Sequence, residues 1–279
     1  MVFPFAAKSE EYSTVRNCVT PSAGTGVPKP RYPVAAVENA AAILDYLSTL
    51  PDEAGIASIA PAVGLPPSTV HRLLDTLCWL GYASRNPQTR RYKLGLKLFD
   101  LGCTVVNQMG FGRAARQYLE ELVSLSGETA NLAVLSDDGK VLYIDKVDSP
   151  QVLRSGIHVG YKAPLTCTAL GKVLLAWLPE DEVDRLTAGG LERRTKNSIA
   201  DAEVLRAHLR QVREQGYATD DEELMIGIRC VAAPIFNRHG NVVAGLSISG
   251  PSSRLGLAEL RALAPELIRR AALISRTVP

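Results

Sequence analysis

The sequence predicts an α+β protein of two domains, with a mostly antiparallel sheet in the second, and three observations carry that reading. Apolar residues recur at helical spacing from Ala36 to about Leu80, whereas beyond Gly127 the period drops to two. The alternating segments after Gly127 are separated by further helical stretches, which mixes helices with the sheet. The chain has 279 residues and is 46% apolar, longer than the usual single domain and rich enough in apolar groups to bury a real core.

The first element follows a proline-punctuated start. Residues 1–33, with prolines at 4, 21, 28, 30 and 33 and no periodicity, read as a flexible tail. Val37, Ala40, Ala41, Leu44 and Leu47 then fall on one helical face, ending before Pro51. A shorter helix is expected from Ile56 to Val63, closed by Gly64; Pro61 suggests that it begins only at Ser58, which would put the proline in the first turn. The third helix follows Pro66 and Pro67, with Val70, Leu73, Leu74, Leu77 and Leu80 on one face and Ser68, His71, Arg72, Asp75 and Thr76 on the other. Gly81 stops it. "YASRNPQTRRYKL" reads as two short strands around an Asn-Pro turn, flanked by Tyr82 and Tyr92.

Charge singles out the same region. The chain carries a net +2, yet Gly64 to Phe99 holds Arg72, Arg85, Arg90, Arg91, Lys93 and Lys97 against Asp75 alone, a local +5. Two helices, a tight turn, a third helix with a polar face and a cationic hairpin make the sequence form of a winged helix-turn-helix. Its expected partner is double-stranded DNA. Ser68, Thr69, His71 and Arg72 are placed to enter the major groove, Arg72 as the better base reader, and Arg85, Arg90 and Arg91 to follow the adjacent backbone.

Helical stretches follow at 95–108 and 112–125, closing at Gly127. "ANLAVLS" and "KVLYIDKV" flank Asp137-Asp138-Gly139, a hairpin signal. Helices are expected from Thr168 to Trp177 and Asp201 to Gln215, strands at 228–235 and 242–249, and a long final helix from Ala258 to Thr277 in which Pro265 could make a kink. In "VVAGLSISG" the strand period puts Ser247 and Ser249 on one face, where they either satisfy backbone groups or line a polar site. Thr166 to Gly171 leads into a helix whose first N–H groups could hold a carboxylate.

Other classes are constrained. The cysteines at 18, 78, 103, 167 and 230 are scattered, lack zinc spacing and are odd in number, so neither a metal nor a disulfide framework is expected and the setting is read as reducing and cytoplasmic. The N-terminus has no apolar leader core and no run approaches the ~18 residues of a membrane span, so no membrane partner is expected. No cofactor and no catalytic residue is assigned. Two alternatives stay open: a thiol enzyme using Cys167 with His158 as base, and a winged-helix adaptor without a ligand.

The segments "LPPSTVHRLLDTL", "LGYASRNPQTRRYKLG", "GETANLAVL", "APLTCTALGKVLLAWLP", "GYATDDEELMIGIRCVAAPIF" and "GLSISGP" occur in the order found in the isocitrate lyase regulator (IclR) family of bacterial transcription regulators, which the chain resembles from about residue 34 to 276. The resemblance implies a tail at 1–33, a winged helix-turn-helix at 34–94, a linker helix at 95–110 used in dimerisation, and an effector domain at 111–279 similar to GAF and PAS sensors. It implies a dimer or dimer of dimers on a palindromic operator near catabolic genes, responding to a small acidic or aromatic metabolite. By position it implies effector contacts from Ala169, Leu170, Asp220, Cys230, Ser247 and Ser249, with Ser155 and Ala163 as small wall residues that leave room for a longer or aromatic acid. Three departures stand out: Pro61 within a helix, Pro67 where lysine is common, and Thr166-Cys167 where His-Ala is usual.

Overall fold

A computed structural model describes residues 30–154 and 156–278. Ser155 and nearly all of the tail lie outside the described residues. The chain divides into two compact units between Thr104 and Val105.

The first unit is built by α1 (Ala35–Ser48), α2 (Ile56–Val63), α3 (Pro67–Trp79), β1 (Ala83–Arg85) and β2 (Tyr92–Leu94). Ile43 and Leu47 of α1, Ile59 of α2, Val70, Leu74 and Leu77 of α3 and Tyr92 of β2 form its core. Two sequence expectations change here. The buried stripe of α1 is centred on Ile43, while Val37 is 66% exposed and Leu80 lies beyond α3 as its C-cap. In α2, Pro61 is the sixth residue rather than a first-turn residue. The ring removes the N–H that would bond the Ala57 carbonyl, and since Ala57 and Pro61 are both exposed, water can take that bond. Pro67 opens α3 at a position where its fixed φ suits the helix.

A further helix, α4 (Lys97–Gln108), spans the division between the units and buries none of its side chains within this chain. Phe99, Leu101 and Val105 are among its exposed apolar residues.

The second unit contains α5 (Gly112–Ser126), β3 (Thr129–Leu135), β4 (Val141–Val147), β5 (Lys162–Ala163), α6 (Ala169–Ala176), α7 (Glu180–Thr187), α8 (Ala202–Gln215), β6 (Ala218–Asp221), β7 (Ile228–Phe236), β8 (Val242–Pro251) and α9 (Leu257–Ser275). Its strands form one sheet in the order β5-β4-β3-β8-β7-β6, and every neighbouring pair is antiparallel. Both faces are covered, which is why β7 and β8 read as apolar runs rather than clean alternation. Leu132, Val231, Leu246 and Ile248 face one cluster with Leu119 of α5 and Leu267 of α9. Ala133, Tyr143, Cys230 and Ala232 face the other, with Leu170 and Val173 of α6 and Leu205 and Leu209 of α8. Gly245 lets α6 approach this second face, since a Cβ there would stand 2.8 Å from Leu170 Cδ2 and 3.1 Å from Val173 Cγ2. Helix α9 runs through Pro265 without a break.

Candidate DNA-reading face and ligand site

On the first unit, Ser68, His71 and Arg72 are exposed along α3 and Thr69 is half-buried. The Arg72 side chain has no protein partner among the described residues, whereas His71 Nδ1 lies 3.0 Å from Asp75 Oδ2, one turn on. Only the other ring nitrogen of His71 is therefore free, which makes Arg72 the stronger reader.

The hairpin tip is held from outside itself. Glu53, in the loop before α2, accepts from Asn86 Nδ2 at 2.9 and 3.0 Å through its two oxygens and from Thr89 Oγ1 at 2.9 Å. Asn86 Oδ1 in turn accepts the N–H groups of Gln88 and Thr89 at 2.9 and 3.2 Å, an Asx turn that starts the loop. These bonds, first of all that from Asn86, hold the Glu53 carboxyl below its ordinary range. Ala54 also bridges Tyr92 with two 2.8 Å backbone bonds, adding a third extended segment to the hairpin. The tip so fixed carries Arg90, at φ +59°, and Arg91, both exposed. Arg85 is exposed on β1 with its guanidinium 5.4 Å from the centroid of the Tyr92 ring.

In the second unit, register places the pattern-selected residues on one sheet face. Asp220, Cys230, Ser249 and Thr129 are directly opposed across β6, β7, β8 and β3, and Ser247 is opposed to Asn131 two residues along. These six side chains are between 0% and 8% exposed. Ser247 and Ser249 both accept from the Asn131 side chain, at 3.3 and 3.0 Å, rather than from backbone groups. Ala163, Ala169 and Leu170 are buried against the same face. Thr168 caps α6 by accepting from the Gly171 N–H at 2.9 Å, so the Ala169 and Leu170 N–H groups at its start have no intrahelical acceptor.

A charged cluster lies beside this row. Lys172 Nζ of α6, fully buried, is 2.5 Å from Glu223 Oε1, which is 8% exposed on its side chain. Asp220 Oδ1 accepts the Glu223 N–H at 2.7 Å, but among the described residues Asp220 Oδ2, Glu223 Oε2 and His208 Nε2 find no partner. Burial pushes the Asp220 carboxyl up to about 7, partly offset by Lys172, and burial beside the same lysine takes His208 down to about 4. Asp220 is thus poised near neutrality. The Tyr143 hydroxyl, buried near Cys230 and Asp220, is pushed well above its usual range by burial.

A groove of about 470 Å³ opens next to the row, lined by Ile157, Tyr161, Met225, Ile226, Ile228 and Pro251 among others. Ile228 and Pro251 are paired two residues along from Cys230 and Ser249 on β7 and β8, and the centroid of the Tyr161 ring lies 6.0 Å from that of Tyr143. The lining is mainly apolar, with Arg154 at its margin 3.5 Å from Asp148.

Cys167 does not have the surroundings of a nucleophile. Its thiol is fully buried, donates to the Glu192 carbonyl at 2.8 Å and is pushed up by burial. His158 lies against Tyr161 instead, with ring centroids 5.8 Å apart. Among the described residues no three His, Cys, Asp or Glu side chains gather into a metal-binding group, and no helix is long and apolar enough to cross a membrane.

Sequence reasoning missed Asn131, Thr129, Tyr143, Lys172 and Glu223. Asn131 and Lys172 left a signal, an amide and a cation inside the otherwise apolar "ANLAVL" and "ALGKVLLAW".

A winged helix with an exposed cationic hairpin, joined in one chain to a second domain, marks a DNA-binding transcription regulator. The chain belongs to the IclR family: residues 103–276 match the bacterial transcriptional regulator IclR C-terminal domain and residues 36–87 the IclR helix-turn-helix domain. It is 43% identical over 203 residues to the HTH-type transcriptional regulator KdgR of Escherichia coli K12, covering 72% of this chain and 77% of that one. It is 37% identical over 246 residues to XynR of the same organism, covering 88% and 97%. The crystal structure of an IclR transcriptional regulator from Alicyclobacillus acidocaldarius superposes with a TM-score of 0.79 at 31% identity, over 88% of this chain and 99% of that one. These relatives are regulators, not enzymes.

Proposed function

We propose that the protein is a cytoplasmic repressor of a catabolic operon that binds a palindromic operator as a dimer or dimer of dimers and responds to a small carboxylic acid in its second unit. The observation that carries the ligand reading is a polar row, almost fully buried beside an open groove, in which the Ser247 and Ser249 hydroxyls keep protons that no protein atom among the described residues takes and Asn131 Oδ1 and Asp220 Oδ2 are acceptors without a partner. Buried polar groups are ordinarily satisfied, so orphans beside a cavity are what a ligand or water would complete. Ala169, Leu170, Ala163, Cys230, Ser247 and Ser249 surround the head group in this reading, and the apolar groove takes an aromatic or extended remainder.

On the DNA side, Ser68, Thr69, His71 and Arg72 enter the major groove while Arg85, Arg90 and Arg91 follow the phosphates. The self-association reading is supported by α4, whose Phe99, Leu101 and Val105 are left exposed by their own chain. The boundaries at 34–94, 95–110 and 111–279 are part of the same proposal.

The test is a thermal-shift screen of the intact protein against aliphatic and aromatic carboxylic acids. A ligand at 100 times its Kd adds about 2.7 kcal/mol of stability. A stabilising acid whose effect Ser247→Ala weakens supports the site, and a panel without any such acid rejects the carboxylate reading.

A further inference from the structure

The sequence from Tyr12 to Val37 carries Arg16, Lys29 and Arg31 and no acid, a second cationic stretch immediately ahead of α1. Of it, Pro30 to Pro33 is exposed throughout and makes no hydrogen bond or ion pair among the described residues. Pro33 disfavours the helical region for Tyr32, so the segment stays outside α1, whose first helical residue is Ala35. The Arg31 guanidinium lies 5.5 Å from the centroid of the Tyr32 ring, and Tyr32 is itself 78% exposed. An arginine, a tyrosine and two prolines thus stand in solvent, outside the core of the unit.

The place from which this segment leaves is specific. A hollow of about 530 Å³ is lined by Ala36 and Asn39 from the first turns of α1 and by Thr69, Arg72 and Thr76 of α3, among others. The start of α1 therefore borders the helix that carries the reading residues. Arg31 precedes Ala35 by four residues, a reach of up to ~13 Å for its Cα, to which the long side chain adds. The minor groove beside an occupied major groove lies half a helical turn away, ~17 Å along the duplex. The reach suffices.

A guanidinium has donors only. At A·T pairs the floor of the minor groove offers acceptors only, adenine N3 and thymine O2, whereas G·C adds the N2 amino donor. Runs of A·T also narrow the groove and deepen its negative potential, which draws arginine in. Resting on the DNA reading above, we propose that Arg31 is a further DNA contact, entering the minor groove beside the major groove that α3 reads and favouring A·T pairs there.

The experiment measures binding of the full chain by fluorescence anisotropy to a duplex selected from a random library. Three versions keep the selected bases and differ in the adjoining pairs, which are A·T, inosine·C or G·C. Inosine·C has the major-groove edge of G·C without its N2 amino group. The wild type binds the A·T and inosine·C versions alike and the G·C version at least about fivefold more weakly. Arg31→Ala loses at least about fivefold on the first two, binds all three within about twofold, lowers the salt slope by about one and leaves Tm unchanged.

Arg31→Ala binding the A·T version as the wild type does overturns the proposal. So does an equal loss on all three versions, which would put Arg31 on phosphates, and so does a change in the mass of the free protein by sedimentation, which would put it against a second copy. In each case the DNA reading stands as long as Arg72→Ala weakens the selected duplex. If the wild type selects no duplex at all, both fall.

Discussion

Replacing Lys172 by methionine keeps the length and apolar stem of the side chain and removes only its charge. Lys172 is fully buried and Glu223 nearly so, at 2.5 Å, so the glutamate is left inside the protein without its cation. Breaking a buried pair from one side typically costs ~3–5 kcal/mol, because the remaining charge keeps its desolvation penalty. For a unit of this size each kcal/mol corresponds to a few degrees in Tm, so the fall expected is roughly 6–20 °C. Urea unfolding at neutral pH measures it, read from Trp177, which makes an edge-on contact to Phe236 at 5.3 Å within the second unit. Trp79 belongs to the first unit, and a Trp79→Phe background isolates the signal. The double variant Lys172→Met/Glu223→Gln should regain most of the loss, since it buries no unpaired charge. A single variant that loses less than ~1 kcal/mol, or a double variant no more stable than the single, would refute the reasoning.

Three further outcomes follow from the same geometry. Asp220, neutral in the folded state up to about pH 7 but ionised near pH 4 once unfolded, binds an extra proton in the native state between those values. Its contribution to stability therefore declines as pH rises across that window, and Asp220→Asn removes this part of the slope in a series of urea titrations. Arg72→Ala should weaken binding to a duplex selected from a random library by ~1–3 kcal/mol and relax its sequence preference, measured by fluorescence anisotropy; equal binding by variant and wild type would remove α3 from the reading face. Glu53→Ala releases the turn that carries Arg90 and Arg91 and should lower affinity for selected and random duplexes alike, with the circular dichroism of the protein unchanged.

The residues that were legible in the sequence are those whose reasons are local. Gly64, Gly81 and Gly127 each take positive φ at a helix end, and the Asp138-Gly139 turn joins β3 to β4 as expected. The two-residue β5 and the four-residue β6 are too short for a period to stand out and depend on their neighbours. Pro61 was misread because first-turn placement is the commoner solution, whereas an exposed carbonyl is another. The site divided in the same way. Ser247 and Ser249 could be paired from strand alternation alone. The partners that give them meaning lie far off in sequence, Asn131 more than a hundred residues before them and Glu223 51 residues from Lys172, and only the sheet register brings them together.

The most direct test of the account is the affinity of the full chain for its selected duplex with and without the acid that stabilises it most. The account predicts a change of at least fivefold in the wild type, the size of an ordinary coupling between two sites, and none in a Ser247→Ala/Ser249→Ala variant that still binds the duplex. An affinity that no stabilising acid alters, or that alters equally in the variant, would contradict it.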